Sequence, residues 1–104
     1  MREKAIETAI KTYLFKIGAY YIKIHGSNFQ EPGIPDIIAC YKGYFLGIEV
    51  KAPGKLSNQS EQQKIHQRNI EKSEGIYLLT DSLDDVIKLI GEIDEKYTDC
   101  KHRL

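Results

Sequence analysis

The fold is decided by residues 33–51, GIPDIIACYKGYFLGIEVK, in which two apolar runs flank a short turn. Pro35 has no N–H to donate to a sheet, so it fits the beginning of a strand, and Asp36–Tyr41 is predicted to continue that strand. Lys42-Gly43 predicts a turn, after which Tyr44–Lys51 predicts the next strand, the third of the chain. Because this connection is too short for a parallel crossover, the two strands are predicted to form an antiparallel hairpin.

The residues before the hairpin predict one helix and one strand. From Glu3 to Ile17, apolar residues recur every three or four positions, as they do on one face of a helix, and Gly18 is its expected end. Ala19–Ile24 is aromatic and β-branched, which is typical of a strand. Residues 25–33 then predict a loop, because they are rich in glycine, serine, asparagine and proline.

The residues after the hairpin predict two helices around one strand. Gln59–Ser73 is free of glycine and proline and predicts a helix, and Ile76–Leu79 predicts a strand. Asp81 or Ser82 is the expected cap of a last helix. The predicted order is αβββαβα, which implies a mixed α/β fold with a four-stranded mixed sheet and helices on both faces.

Length and composition restrict the protein class. The chain has 104 residues, enough for one core but not for two, so residues 1–104 are predicted to form a single domain. No apolar run is long enough to cross a membrane, and the N-terminus does not resemble a secretory signal, so a cytoplasmic setting is expected. The formal net charge of +0 argues against a protein that binds nucleic acid through a large basic excess.

The two cysteines do not predict a metal or redox site. Cys40 and Cys100 are far apart in the sequence and lack the spacing of zinc or disulfide-exchange motifs. Cys40 lies in an apolar run, so a buried free thiol is expected there.

Acidic and basic side chains converge at the ends of the predicted hairpin. Residues two apart in a strand share a face, so Glu49 and Lys51 project together, about 7 Å apart along the chain. The hairpin is expected to bring Asp36 beside Glu49, and Gly47, on the same face, is expected to leave room for a metal or a substrate backbone. Two adjacent carboxylates repel each other at neutral pH and need a cation. Mg²⁺ suits hard oxygen ligands and activates water for attack on a phosphodiester, and Lys51 can hold that water and offset phosphate charge.

Gly33-Ile34-Pro35-Asp36, followed thirteen positions later by Glu49-Val50-Lys51, and preceded by a helix that carries a glutamate, closely resembles the PD-(D/E)XK nuclease superfamily. The continuation over residues 51–57 and the glutamine-rich helix after it look most like the VRR-NUC family, especially its stand-alone phage members. This resemblance covers roughly Glu3 to Leu79. It implies a restriction-endonuclease-like αβββαβ core followed by a C-terminal helix.

The resemblance also implies roles for particular residues. Asp36, Glu49 and the main-chain carbonyl of Val50 would be ligands of Mg²⁺ or Mn²⁺, and Lys51 would be the catalytic lysine. An acidic residue of the first helix would lie near the metal, for which Glu7 is preferred and Glu3 is the runner-up.

A glutamine of the helix after the third strand would also reach the site. The chain departs from the common pattern by extra residues before that helix, so several glutamines compete. Gln62 is preferred and Gln63 comes second, ahead of Gln59 and Gln67.

The resemblance implies a metal-dependent endonuclease that hydrolyses DNA phosphodiesters. Stand-alone relatives resemble Holliday junction resolvases, so a homodimer acting on four-way junctions is expected, in a bacterial host cell if the chain comes from a phage. One alternative is a flap or fork nuclease that works as a monomer. Others are a catalytically idle DNA-binding module of the same fold, and a structural domain in which these charged residues lie on the surface and have no functional role.

Some further residues are candidates for contact with DNA. The Ser27–Gln30 loop precedes Asp36 and is expected to rim the cleft. Phosphate contacts are candidates for five basic side chains, although scattered basic residues usually serve solubility: Lys23, Lys42, Lys55, Lys64 and Arg68.

Overall fold

The computed structural model describes residues 2–26 and 31–103, with side chains described through residue 97. The elements follow the order predicted from the sequence: α1 (Glu3–Lys16), β1 (Tyr20–Lys23), β2 (Ile37–Tyr41), β3 (Tyr44–Val50), α2 (Glu61–Lys72), β4 (Ile76–Thr80) and α3 (Leu83–Arg103). A short 3₁₀ turn, Leu56–Asn58, lies between β3 and α2. The αβββαβα order and the mixed α/β class are therefore confirmed.

The four strands form one sheet in the order β1-β2-β3-β4. β2 and β3 are antiparallel, with Tyr41 opposite Tyr44 at the turn, so the predicted hairpin is confirmed. Both residues of that turn have positive φ, 50° at Lys42 and 84° at Gly43, as the tightest hairpin turns require. β3 and β4 are parallel, and α2 provides the crossover between them. The carboxyl end of β3 and the start of β2 therefore meet at one edge of the sheet.

The hydrophobic core lies between one face of the sheet and the two terminal helices. Alternate residues of β2 and β3 face it, and the apolar stripes of α1 and α3 close it. The buried residues of this core include Ile6, Ile10, Leu14, Ile37, Ala39, Leu46, Ile48, Val50, Val86, Ile90 and Ile93. Burial of each large aliphatic side chain contributes about 1.5–3 kcal/mol, so this face sets the register that carries Glu49 and Lys51 to the other side.

α2 packs against the opposite face of the sheet at Gly47. A Cβ on Gly47 would lie 2.9 Å from Ile70 Cδ1 and 3.1 Å from Pro35 Cγ. The expectation that Gly47 leaves room for a metal or a substrate was therefore wrong. The missing side chain admits Ile70 and Pro35, and it fixes α2 close to the strands that carry the acidic residues.

Cys40 is exposed, so the prediction of a buried thiol at this position was wrong. The thiol is free, as expected. Cys40 faces the α2 side of the sheet, where its cross-strand neighbours Tyr20 and Phe45 are themselves exposed. The side chain of Cys100 lies outside the described residues.

Within the part of the chain that the structure describes, no helix has both the length and the apolar character needed to cross a membrane.

Candidate active site

Asp36 and Glu49 meet at the open edge of the hairpin. Ile37 pairs with Ile48, so the register extended by one residue places Asp36 opposite Glu49. The Asp36 carboxylate accepts a hydrogen bond from the Val50 amide, with 2.7 Å between Oδ2 and N. Its main-chain oxygen accepts another from the Ile24 amide at 2.8 Å. Asp36 is thus held between β1 and β3, and the predicted convergence of the two carboxylates is present.

Glu49 is a buried carboxyl group, with only 3% of the residue exposed. Gln63 Nε2 donates to its Oε2 at 3.0 Å, and Lys51 Nζ lies 3.8 Å from the same oxygen. The other oxygen, Oε1, is buried without a hydrogen-bond partner among the described residues. Burial is the largest cause and the negative charge of Asp36 the next, and together they raise the pKa of Glu49 to about 8. A buried carboxyl group in this state requires either a proton or a nearby cation.

The raised pKa of Glu49 predicts how stability depends on pH without metal. The pKa rises from 4.5 to about 8 on folding, so the native state retains a proton that the unfolded state loses between these values. The free energy of unfolding should therefore fall as pH rises from 5 to 8. Glu49→Gln cannot ionise, so relative to the wild type it should gain about 3 kcal/mol over that range. Urea unfolding in EDTA at pH 5, 6.5 and 8 measures this gain, and a pH-independent difference would refute the assignment.

Gln63 connects the start of α2 to the acidic edge of the sheet. Its Oε1 accepts hydrogen bonds from Lys51 Nζ at 3.0 Å and from the Ser60 amide at 2.8 Å, while its Nε2 donates to Glu49. The main-chain N–H of Gln63 donates in turn to Ser60 Oγ at 3.1 Å, which completes a capping box at the N-terminus of α2. The side chains of Glu49 and Lys51 are therefore held in place by a helix cap.

The structure brings Gln63, and not the preferred Gln62, to the acidic residues. Gln62 is exposed, and its backbone lies directly beneath Gly33. The sequence contained a signal that distinguishes the two glutamines, because Ser60 followed three residues later by Gln63 is a capping-box pattern. That pattern fixes the side chain of Gln63 over the first turn, on the side of the helix that faces β3.

Alanine substitution should distinguish the contributions of Gln63 and Gln62 to the stability of the protein. Gln63→Ala removes the partner of both Glu49 and Lys51, so we expect a loss of about 1–3 kcal/mol in the free energy of unfolding. Gln62→Ala at the neighbouring, exposed position should change it by less than about 0.5 kcal/mol. Chemical denaturation of the two variants gives the comparison, and equal losses would contradict the role assigned to Gln63.

The acidic residues of α1 are placed differently from each other. Glu7 is largely buried and forms an ion pair with Lys23, whose Nζ also lies 4.0 Å from Asp36 Oδ1. Glu3 is exposed, although its charge adds slightly to the raised pKa of Glu49. Glu7 is therefore connected to the site through Lys23. Which of the two glutamates approaches a metal stays a prediction.

The carboxylate oxygens of Asp36 and Glu49 are suitable ligands for a hard divalent cation that keeps water molecules as its other ligands. Across residues 2–26 and 31–97, no group of three or more histidine, cysteine, aspartate or glutamate side chains forms a metal site. Asp36 and Glu49 supply two carboxylates, and Oε1 of Glu49 is buried without a hydrogen-bond partner among the described residues, so a proton or a cation would stabilise it. Mg²⁺ characteristically binds through one or two carboxylates and retains several waters, so these residues are compatible with it. The role of the Val50 carbonyl as a ligand stays a prediction.

The surface beside Asp36 contains a small pocket. A pocket of about 210 Å³ lies there, lined by Ile24, Gly26, Glu31, Gly33 and Ile34 among others. A pocket of about 600 Å³ lies at the C-terminal end of α2, near His66 and Ile70, away from the acidic residues. We place the candidate site at Asp36 and Glu49, because the two carboxylates and the Lys51 ammonium lie together there.

The basic side chains proposed for phosphate contacts are scattered. Lys42 pairs with Asp94 at the β2–β3 turn, at the far end of β2 from Asp36. Lys55, Lys64 and Arg68 are exposed on the loop before α2 and on α2 itself. The Ser27–Gln30 loop lies outside the described residues, so its expected place at the rim is untested.

Comparison with models of known protein families gives no match for this chain, and comparison with curated proteins gives no match either.

Proposed function

We propose that the protein is a metal-dependent endonuclease that hydrolyses DNA phosphodiester bonds. The observation that carries this proposal is the cluster of Asp36, Glu49 and Lys51 at one edge of the sheet, where one buried oxygen of Glu49 has no hydrogen-bond partner in the described part of the chain. The restriction-endonuclease-like order of elements agrees with it. The resemblance to the VRR-NUC family rests on the same residues.

Asp36 and Glu49 are the groups that would hold the cation. Asp36 is oriented by the Val50 amide, and Glu49 is oriented by Gln63, so neither carboxylate has to be ordered when the metal binds. When bound, Mg²⁺ or Mn²⁺ supplies a Lewis acid for the phosphate and lowers the pKa of a water molecule. The metal also favours ionised Glu49, so binding should release a proton and strengthen as pH rises toward 8.

Lys51 is the group that serves the water and the phosphate. Its ammonium is nearly buried, 3.0 Å from the neutral Gln63 Oε1 and 3.8 Å from Glu49 Oε2. From this position it can donate a hydrogen bond to the attacking water and offset the charge that develops on the pentavalent phosphate. Attack by water gives hydrolysis without a covalent enzyme intermediate.

We propose branched DNA, and four-way junctions first, as the substrate. The helices and strands of the described residues belong to one packed core, and none of them is set apart to read base edges in the major groove. Symmetric cleavage of a junction needs two active sites related by a two-fold axis, so a homodimer belongs to this proposal. A monomeric flap or fork nuclease is the second candidate, and a catalytically idle DNA-binding module is the third.

Cleavage assays distinguish these candidates. Purified protein is incubated with linear duplex, flap, fork and four-way junction DNA, in Mn²⁺ and in EDTA, and its mass is measured at equilibrium. A junction resolvase should be dimeric and should cut the junction with paired incisions in Mn²⁺ only. A monomer that prefers flaps or forks would support the second candidate. Mn²⁺-independent binding to all four substrates without cleavage would contradict the proposed enzyme and support the idle module.

A further inference from the structure

We propose that Lys23 is the resident cation of this site, which holds Glu7 and Asp36 together in the metal-free protein and leaves them when a divalent metal binds. This inference rests on the metal site of the proposed function and deepens it. Lys23 thereby sets the metal concentration at which half of the sites are occupied.

The fold places Lys23 between two acidic groups from different elements. It is the last residue of β1 and pairs with Ile37, so its side chain emerges on the α1 side of the sheet, next to Asp36. Its Nζ contacts Glu7 Oε1 and lies 4.0 Å from Asp36 Oδ1. The exposed fractions of these side chains are 26% for Lys23, 12% for Glu7 and 24% for Asp36. Solvent therefore shields this charge cluster only in part, and its charges act strongly on one another.

The two lysines at this edge of the sheet are held in different ways. Lys51 donates to the neutral amide oxygen of Gln63, so its position does not depend on a carboxylate alone. The ammonium group of Lys23 instead contacts two carboxylates, those of Glu7 and Asp36. A divalent cation offers those carboxylates twice the charge, and it repels an ammonium group that is already within about 4 Å of Asp36. Lys23 is therefore the exchangeable cation of the pair, and Lys51 is the fixed one.

The exchange has two consequences. In the absence of metal, Lys23 neutralises carboxylates that would otherwise repel each other, which stabilises the folded protein. In the presence of metal, the ammonium competes for Asp36, which raises the metal concentration needed for half-filling. Removing the charge of Lys23 should therefore strengthen metal binding, although the protein loses a basic residue and an ion pair.

Mn²⁺ titration by calorimetry tests this inference. The variant is Lys23→Met, which keeps the apolar stem and removes the charge. The matched control is Lys42→Met, which also removes a lysine that pairs with an aspartate, but at the far turn of β2. We expect the Kd for Mn²⁺ to fall by about tenfold or more in Lys23→Met and to change by less than about twofold in Lys42→Met. Lys23→Arg keeps the charge and should retain a Kd close to that of the wild type.

A thermal measurement covers the case in which Lys23→Met is poorly folded without metal. In EDTA its Tm should lie below that of the wild type, because the two carboxylates lose their cation. Saturating Mn²⁺ should then raise its Tm by more than it raises that of the wild type. An equal or smaller rise would overturn the inference.

The outcomes also separate this inference from the proposed function. If the wild type binds Mn²⁺ and Asp36→Asn does not, the metal site stands. Unchanged or weaker Mn²⁺ binding in Lys23→Met would then overturn the role of Lys23 alone. If neither wild type nor Lys23→Met binds Mn²⁺ in a way that depends on Asp36, both proposals fail.

Discussion

Lys51→Met is expected to lower DNA cleavage by about a thousandfold while Mn²⁺ binding persists. The ammonium of Lys51 is nearly buried and is positioned by Gln63, so a flexible neighbour cannot replace it. Its loss removes the group that would orient water and neutralise the phosphate at the transition state, but it leaves both carboxylates. Single-turnover cleavage and Mn²⁺ titration of the same preparation measure the two effects separately.

Lys55→Met provides the control for this substitution. Lys55 lies four residues further on, in the loop before α2, and its side chain is exposed. The same change of charge there should lower cleavage by no more than about tenfold, through weaker contact with DNA phosphates. Cleavage by Lys51→Met within tenfold of the wild type would refute the mechanism, since the lysine would then have no chemical role.

Gly33→Ala is expected to lower the free energy of unfolding by about 3 kcal/mol or more. Gly33 has φ +88°, and a Cβ there would lie 2.5 Å from the backbone carbon of Gln62. Because the obstacle is backbone in the first turn of α2, a rotamer change cannot relieve the clash. Either the loop before Asp36 or the start of α2 has to move, so the substitution also disturbs the contact of Gln63 with Glu49.

Gly43→Ala isolates the cost of the close approach from the cost of the backbone conformation. Gly43 has φ +84°, nearly the same as Gly33, but apart from its chain neighbours no described residue lies within 4 Å of a Cβ built there. The conformational cost alone should be about 1–2 kcal/mol. Urea unfolding of both variants gives the difference, and equal losses would show that α2 does not pack against Gly33 as described.

The order of elements could be predicted because each one has a local signal. The spacing of four residues between Ile6, Ile10 and Leu14 marks a helix face, and these residues are indeed buried against the sheet. The Lys42-Gly43 turn fixes the register of β2 and β3, and this register alone brings Asp36 opposite Glu49. The part of the site that lies on one hairpin was therefore predictable from the sequence.

The rest of the site depends on how distant elements approach each other, which periodicity does not determine. Gln63 rather than Gln62 reaches Glu49, because the capping box with Ser60 holds the Gln63 side chain at the start of α2. Lys23 reaches Glu7 and Asp36 only because β1 and α1 lie side by side. Ile70 of α2 likewise packs against Gly47 because α2 lies close to β3. The sequence shows that position 47 has no side chain, but it does not show which residue fills the space.

The most direct test of the proposed metal-dependent site is cleavage of a four-way DNA junction by the wild type and by Asp36→Asn, in Mn²⁺ and in EDTA. Asparagine keeps an oxygen that can accept the hydrogen bond of the Val50 amide, so the hairpin should remain folded. We expect cleavage by the wild type in Mn²⁺ only, and a loss of at least about a thousandfold in Asp36→Asn, together with loss of Mn²⁺ binding. Cleavage that persists in EDTA, or in Asp36→Asn at the rate of the wild type, would contradict the site proposed at Asp36, Glu49 and Lys51.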